Sequence, residues 1–268
     1  MRTFILMAGV GAAVVAAKPL IGHAEHAPGV QQQEDFQWHG KIPAGKTLEI
    51  RGVNGAVRVE RASGDEAVVH AVKSGRRSDP TEVEIQVVPH DGNVTICAVY
   101  PSTRGRENEC RPGGGHNSTH DNDVKVEWTV QVPAGVAFDG HTVNGDVSIE
   151  GLSGDVHAST VNGDVAVSTS AIAEASTVNG SIRVSMGRAD WTGTMRFKTV
   201  NGGITLDVPA SLSADIDAAT VNGGIETDFP ISVQGRFNSR RMHGTIGAGG
   251  RGLDLETVNG SIRLRKTS

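Results

Sequence analysis

The tetrapeptide Thr-Val-Asn-Gly limits what this chain can fold into, because it recurs. It occupies Thr142 to Gly145 and returns from Thr160, Thr177, Thr199, Thr220 and Thr257, with Val53-Asn54-Gly55 as an upstream relative and Met242-His243-Gly244 as a degenerate copy. The Asn positions from Asn144 to Asn222 are 18, 17, 22 and 21 residues apart; the next interval, 37, is divided by His243 into 21 and 16. A fixed unit with elastic spacing predicts stacked coils whose insertions fall in turns.

Residues before each copy alternate. Val156/Ala158/Thr160, Ala173/Ala175/Thr177, Met195/Phe197/Thr199, Ile216/Ala218/Thr220 and Leu253/Leu255/Thr257 share one face, while Lys198, Asp254 and Glu256 take the other. This is strand periodicity. A second alternating run follows each corner, as in Val147/Ile149, Val165/Val167, Ile182/Val184, Ile204/Leu206 and Ile262/Leu264, and Leu152-Ser153-Gly154 marks a second corner. The corners are Asn54-Gly55, Asn144-Gly145, Asn162-Gly163, Asn179-Gly180, Asn201-Gly202, Asn222-Gly223 and Asn259-Gly260. Asn-Gly accepts positive φ at little steric cost, so it bends the chain. It is also a hairpin turn, and that alternative stays open.

Steady repetition favours an all-β solenoid in which each strand pairs with its copy one coil on, roughly 4.8 Å away. Threonine at the core end of each strand predicts a column of hydroxyls bonded between coils, since a buried hydroxyl needs a partner. With 4% aromatic residues, the core is expected to be thin and filled by small and branched side chains.

Residues 36–70 align with 126–160 at a constant offset of 90, with 12 of 35 positions identical, including Trp38/Trp128, Pro43-Ala44-Gly45/Pro133-Ala134-Gly135 and Ser63-Gly64-Asp65/Ser153-Gly154-Asp155. The motif therefore begins twice. Between the copies, Val83/Ile85/Val87 and Val94/Ile96/Ala98 flank Pro89-His90-Asp91-Gly92-Asn93, a hairpin pattern, and 124–132 alternates as a half-exposed antiparallel strand. The expected organisation is a signal peptide over 1–24, a linker over 25–35, an N-terminal antiparallel β cap unit with hairpin and disulfide loop over 36–132, and the repeat solenoid over 133–268. Arg263, Arg265 and Lys266 are expected to protect the opposite end by charge.

The start of the chain has one Arg, an apolar run from Phe4 to Ala17 and small residues at Gly22 and Ala24, a secretory pattern; a short membrane anchor or a buried helix is the competing reading. The expected location is periplasmic, cell-envelope or extracellular, with no membrane span after cleavage. Cys97 and Cys110 agree, because in an oxidising compartment the pair can close its loop and remove roughly 3 kcal/mol of unfolded-chain entropy. With a net charge of -5 and scattered Lys and Arg, the chain lacks the basic footprint of a nucleic-acid binder.

No nucleophile motif, phosphate loop or cofactor signature is visible, so no catalytic, cofactor or metal residues are assigned. His116, His120, Asp121 and Asp123 read as a solvated Gly-rich loop, and Asp146, Asp155 and Asp164 as turn-stabilising residues.

Pro-Ala-Gly, the repeated Thr-Val-Asn-Gly-x-Ile/Val and the closing Thr257-Val258-Asn259-Gly260-Ser261-Ile262-Arg263-Leu264 resemble the bacterial putative adhesin family of β-strand-repeat proteins, a domain of unknown function, over residues 36–268. The resemblance implies a right-handed parallel β-helix-like fold and an extracytoplasmic place, and it supplies no catalytic residues. The function expected is a non-enzymatic envelope protein presenting its β surface to a protein or polysaccharide partner, with end-to-end self-association open to such a stack. Envelope-stress sensing is the alternative. A carbohydrate-active β-helix enzyme and ice binding stand behind it: the first lacks a row of carboxylates after the corners, and the second has its Thr column on the core face.

Overall fold

The computed structural model describes residues 32–102, 107–115, 117, 119–233 and 240–267; the expected signal peptide lies outside them. In chain order the strands are β1 (Gln32–Gly40), β2 (Thr47–Arg51), β3 (Val57–Arg61), β4 (Ala67–Gly75), β5 (Glu84–His90), β6 (Asn93–Val99), β7 (Lys125–Val132), β8 (Ala137–His141), β9 (Val147–Leu152), β10 (Val156–Ser159) and β11 (Val165–Thr169). They continue with β12 (Ala173–Ser176), β13 (Ile182–Met186), β14 (Thr194–Lys198), β15 (Ile204–Pro209), β16 (Ala214–Ala219), β17 (Ile225–Thr227), β18 (Ile231–Val233), β19 (Arg241–Ile246), β20 (Gly252–Glu256) and β21 (Ile262–Thr267). The linker expected over 25–35 gives way to strand from Gln32 onward, because β1 pairs with β4 from Gln32↔Gly75 to Gly40↔Ala67.

Two mostly parallel sheets result. Sheet A runs β1-β4-β7-β3-β9-β11-β13-β15-β21-β17 and sheet B runs β18-β19-β16-β20-β14-β12-β10-β8-β2-β6-β5. Each repeat contributes a sheet B strand, an Asn-Gly corner and a sheet A strand, here called a coil. The inward face of each strand is apolar, as the alternating burial of β10, β11, β12 and β13 shows. The two halves of the internal duplication are neighbours in space: β2 pairs with β8 and β3 with β9 in parallel, each at the offset of 90 seen in the sequence, as in Thr47↔Ala137 and Val57↔Val147.

Antiparallel pairs close the N-terminal end, β1-β4-β7 in sheet A and β5-β6 in sheet B. The hairpin turns at Asp91-Gly92, where both residues have positive φ (48° and 82°). The other end departs from expectation. Met242-His243-Gly244 is no corner: it lies within β19, antiparallel to β16, and β18 pairs antiparallel to β19 in turn. The last repeat in sequence is also not last in space. β20 sits between β14 and β16, and β21 between β15 and β17, so Arg263, Arg265 and Lys266 stand on an interior strand and cannot guard the edge. The interval of 37 thus records an inserted antiparallel pair followed by a coil that turns back into the stack.

Aromatic residues have more of the core than composition suggests. Trp128, Tyr100, Phe138 and Phe197 are among its largest fully buried side chains. The Trp128 indole is admitted by Gly52, which stands where later copies have Thr: a Cβ there would lie 3.2 Å from Trp128 Nε1, and that buried nitrogen has no hydrogen-bond partner.

Candidate functional site

The corner residues form a spine. Asn54, Asn144, Asn162, Asn179, Asn201, Asn259 and Asn222 bridge in that spatial order. Each Nδ2 donates to the Oδ1 of the coil before it at 2.7–2.8 Å, from Asn144 on Asn54 to Asn222 on Asn259. Thr142, Thr160, Thr177, Thr199, Thr257 and Thr220 donate their hydroxyls to the carbonyls of Gly55, Gly145, Gly163, Gly180, Gly202 and Gly260 at 2.8–3.0 Å. The physical demand for glycine differs from the one read in the sequence. Gly145, Gly163, Gly180, Gly223 and Gly260 lack positive φ; a Cβ on any of them would fall 1.9–2.1 Å from a carbonyl oxygen of the coil before it. Close stacking, more than the bend, requires them.

Cys97 and Cys110 are bonded, with Cα atoms 5.7 Å apart. Glu49 is buried at 5% exposure and takes three donors: Arg51 Nη1 at 2.6 Å, Thr95 Oγ1 at 2.7 Å and the N–H of Gly113, three residues past Cys110, at 3.0 Å. Tyr100, whose hydroxyl donates to the Val124 carbonyl at 2.9 Å, has its pKa pushed up to about 12 by burial.

Asp146 and Asp164 act in the turns, accepting the N–H of Asp164 at 2.8 Å and of Ser181 at 2.7 Å, and Asp155 reaches the Ile172 N–H at 3.5 Å. Asp123 accepts the Ser78 N–H at 2.9 Å and the Arg77 N–H at 3.2 Å, which with the Arg77 charge lowers its pKa to about 2. His120 pairs with Asp121 at 3.2 Å in solvent, and His116 lies outside the described residues. Among the described residues, no three His, Cys, Asp or Glu side chains are placed to hold a metal ion, and no helix is long and apolar enough to cross a membrane.

The feature that sequence reading missed is the outward face of sheet B. Parallel register aligns Glu49, Asp139, His157 and Glu174 across β2, β8, β10 and β12. Arg196, Asp254, Asp217 and His243 continue the row on β14, β20, β16 and β19. The signal was present: each of these except His243 stands three residues before a repeat Thr, or before Gly52 in the first coil.

His157 Nδ1 meets Asp139 Oδ1 at 3.1 Å, and this hydrogen bond raises the histidine's pKa against the effect of burial. His141 is shifted the other way, by burial first and then by the Arg51 charge. Over β8, β10, β12 and the approach to β14 lies a groove of about 410 Å³. Asp139, His157 and Glu174 line it together with Thr47, Thr192 and Thr194, and Phe138, Val156, Ile172, Trp191 and Met195 supply apolar lining. Trp191 is anchored by its Nε1 donating to the Gly252 carbonyl at 2.9 Å.

A relay for acyl transfer is not assembled here. Ser159 Oγ contacts His141 Nδ1 at 2.8 Å, whereas the carboxylate-held histidine is His157. Sheet A offers a second depression, of about 690 Å³, lined by Ser148, Ala166, Ser168 and Ser185 with Glu60, Glu150, Arg183 and Asp207.

Residues 138–265 match the model of the family described as Toastrack DUF4097. No curated protein matches the chain. Among solved structures, a putative cell adhesion protein from Clostridium sporogenes is 12% identical, with 88% of this chain and 100% of that one covered at a TM-score of 0.43. A putative adhesin from Bacteroides fragilis is 12% identical over 87% and 97% of the two chains (TM-score 0.27), and one from Parabacteroides merdae is 11% identical over 90% and 97% (TM-score 0.28).

Proposed function

We propose that this chain, whose residues 138–265 are a toastrack domain, is an exported, non-enzymatic protein of the cell envelope or cell surface that holds a protein or polysaccharide partner on sheet B. Its coils are read as a β-solenoid, right-handed as in parallel β-helices, with the N-terminal antiparallel strands as its cap. The observation that carries the binding role is the groove in which Asp139, His157 and Glu174 stand beside apolar lining. Carboxylates accept hydrogen bonds and take up to two partners per oxygen, so hydroxyls of a glycan or amines of a protein suit them, while apolar lining adds affinity. The bonded cysteines support an oxidising compartment. The separation of Ser159 from the carboxylate-held histidine supports a role without catalysis.

The test immobilises the full chain and exposes it to cell-wall glycans and to envelope extract in parallel. The expected result is a retained partner that the Asp139→Asn/Glu174→Gln double variant holds at least about ten-fold more weakly, the worth of one or two charge-assisted hydrogen bonds. Retention that the double variant leaves unchanged, or none above that of an unrelated protein, overturns the groove. Cleavage of any member of a polysaccharide panel overturns the non-enzymatic role, and recovery of the chain in the cytoplasmic fraction overturns export.

A further inference from the structure

Every coil presents the same bonding set to the next, and in one sense only. Side-chain amides donate from each Asn to the one before, threonine hydroxyls donate to the preceding corner glycine carbonyl, and that glycine's N–H donates to the following Asn carbonyl, as in Gly55 to Asn144 at 2.8 Å and Gly260 to Asn222 at 3.0 Å. The two ends of the spine are therefore unlike. At the first coil, Asn54 Nδ2 reaches the Val124 carbonyl at 3.4 Å and the Asn54 carbonyl accepts the Val126 N–H at 2.7 Å, so the approach to β7 covers it.

Among the described residues, the last coil has no such cover in sheet A: β17 is the edge strand, paired there with β21 alone, while sheet B runs on into β19 and β18. Val221 is 54% exposed, and Asn222 and Gly223 are exposed with it. Among the described residues, Asn222 Oδ1 and the N–H and C=O of Gly223 have no hydrogen-bond partner, although the equivalent groups in every earlier coil are bonded. Asn222 bonds to Val258 ahead of β21, and residues 224 and 228 bond to β21 itself, so strand alternation turns the amides of Ile225 and Thr227 to the open side.

We propose that this edge is an acceptor for a strand donated by a partner protein: an extended segment of the Thr-x-Asn-Gly type, laid parallel to β17, whose Asn amide donates to Asn222 Oδ1 and whose hydroxyl donates to the Gly223 carbonyl. The occupant follows from continuity with an interface the molecule already repeats at each corner, and from the polarity of the spine. A second copy fits poorly in either arrangement. Its first coil is covered by the approach to β7, and two last coils set the Asn222 Oδ1 and Gly223 carbonyl acceptors of one corner against those of the other, which leaves main-chain pairing alone without the corner bonds. Main-chain bonds would supply affinity and the corner pair specificity, as in other strand additions. This inference does not rest on the sheet B groove.

The probe is a synthetic peptide copying residues 177–186 of this chain (TVNGSIRVSM), titrated against the full protein and followed by hydrogen exchange. Saturable binding that slows exchange at Ile225 and Thr227 is expected. Affinity should fall about ten-fold, the worth of one well-placed hydrogen bond, when the peptide carries Asn179→Leu or the protein carries Asn222→Leu. Because Asn222→Leu also removes the amide's bond to Asn259 Oδ1, its thermal melt is run beside the parent, and where the two differ the peptide substitution, which leaves the protein intact, decides the outcome. Absence of binding, binding indifferent to both substitutions, or a dimer in sedimentation that Asn222→Leu dissociates would each overturn the proposal.

Discussion

At Gly180 any side chain would begin 1.9 Å from the Gly163 carbonyl oxygen, and no rotamer moves a Cβ. Gly180→Ala must push neighbouring coils away from each other, breaking Thr199 from Gly180 as well as Thr177 from Gly163, and is expected to cost about 3 kcal/mol in urea denaturation. Gly64→Ala meets nothing within 4 Å at an ordinary φ and should stay within about 0.5 kcal/mol of the parent. The two histidines of sheet B give opposite pH signatures. His157, raised by Asp139, stabilises the fold fully below the unfolded value of 6.5, and that stability is lost as pH rises through its raised folded pKa. His141, lowered by burial, stabilises above 6.5, and that stability is lost as pH falls through its lowered folded pKa. Denaturation midpoints between about pH 5 and 8 should show His157→Gln flattening the alkaline side of the profile and His141→Gln the acid side. The change is the smaller at His157, whose side chain is 52% exposed and screened by solvent.

Among the elements, the disulfide loop is the one whose contribution is easiest to isolate. Replacing Cys97 and Cys110 together by Ser reopens a 13-residue span and should remove about 3 kcal/mol, with the same loss on adding reductant to the parent protein. Freeing Cys110 would also loosen the segment that follows it and with it the Gly113 N–H from Glu49, leaving that buried carboxylate with fewer donors. Strands and turns were legible because their signals are local: alternation gave β5, β6 and β7, and Asp91-Gly92 gave the hairpin. The row from Glu49 to Asp217 was not read from the residues, since each member looks like an ordinary outward side chain on its own strand. Only parallel register, which keeps the same position of each coil in line, turns them into one surface.

The order of the stack belongs to the whole molecule, and the sequence does not carry it in any local form. All Asn-Gly corners are chemically alike, so nothing at Asn259 says that it lies between Asn201 and Asn222. That placement follows from β19, which occupies the far side of β16 and leaves the near side for β20. Removing residues 252–268 should accordingly strip β17 of its partner and detach the β16-β19-β18 ladder from the stack while sparing β9 to β13. Hydrogen exchange would show β17 unprotected and β9 to β13 unchanged; protection surviving at β17 would mean that it can pair directly with β15. Synthesis delivers β16 and β17 before the strands they rest on. Until β20 and β21 leave the ribosome the molecule has a missing course in its masonry, and a piece made after β16 and β17 is the one that locks them in place. A message cut short therefore yields a chain that advertises its own incompleteness to the proteases that clear unfinished products.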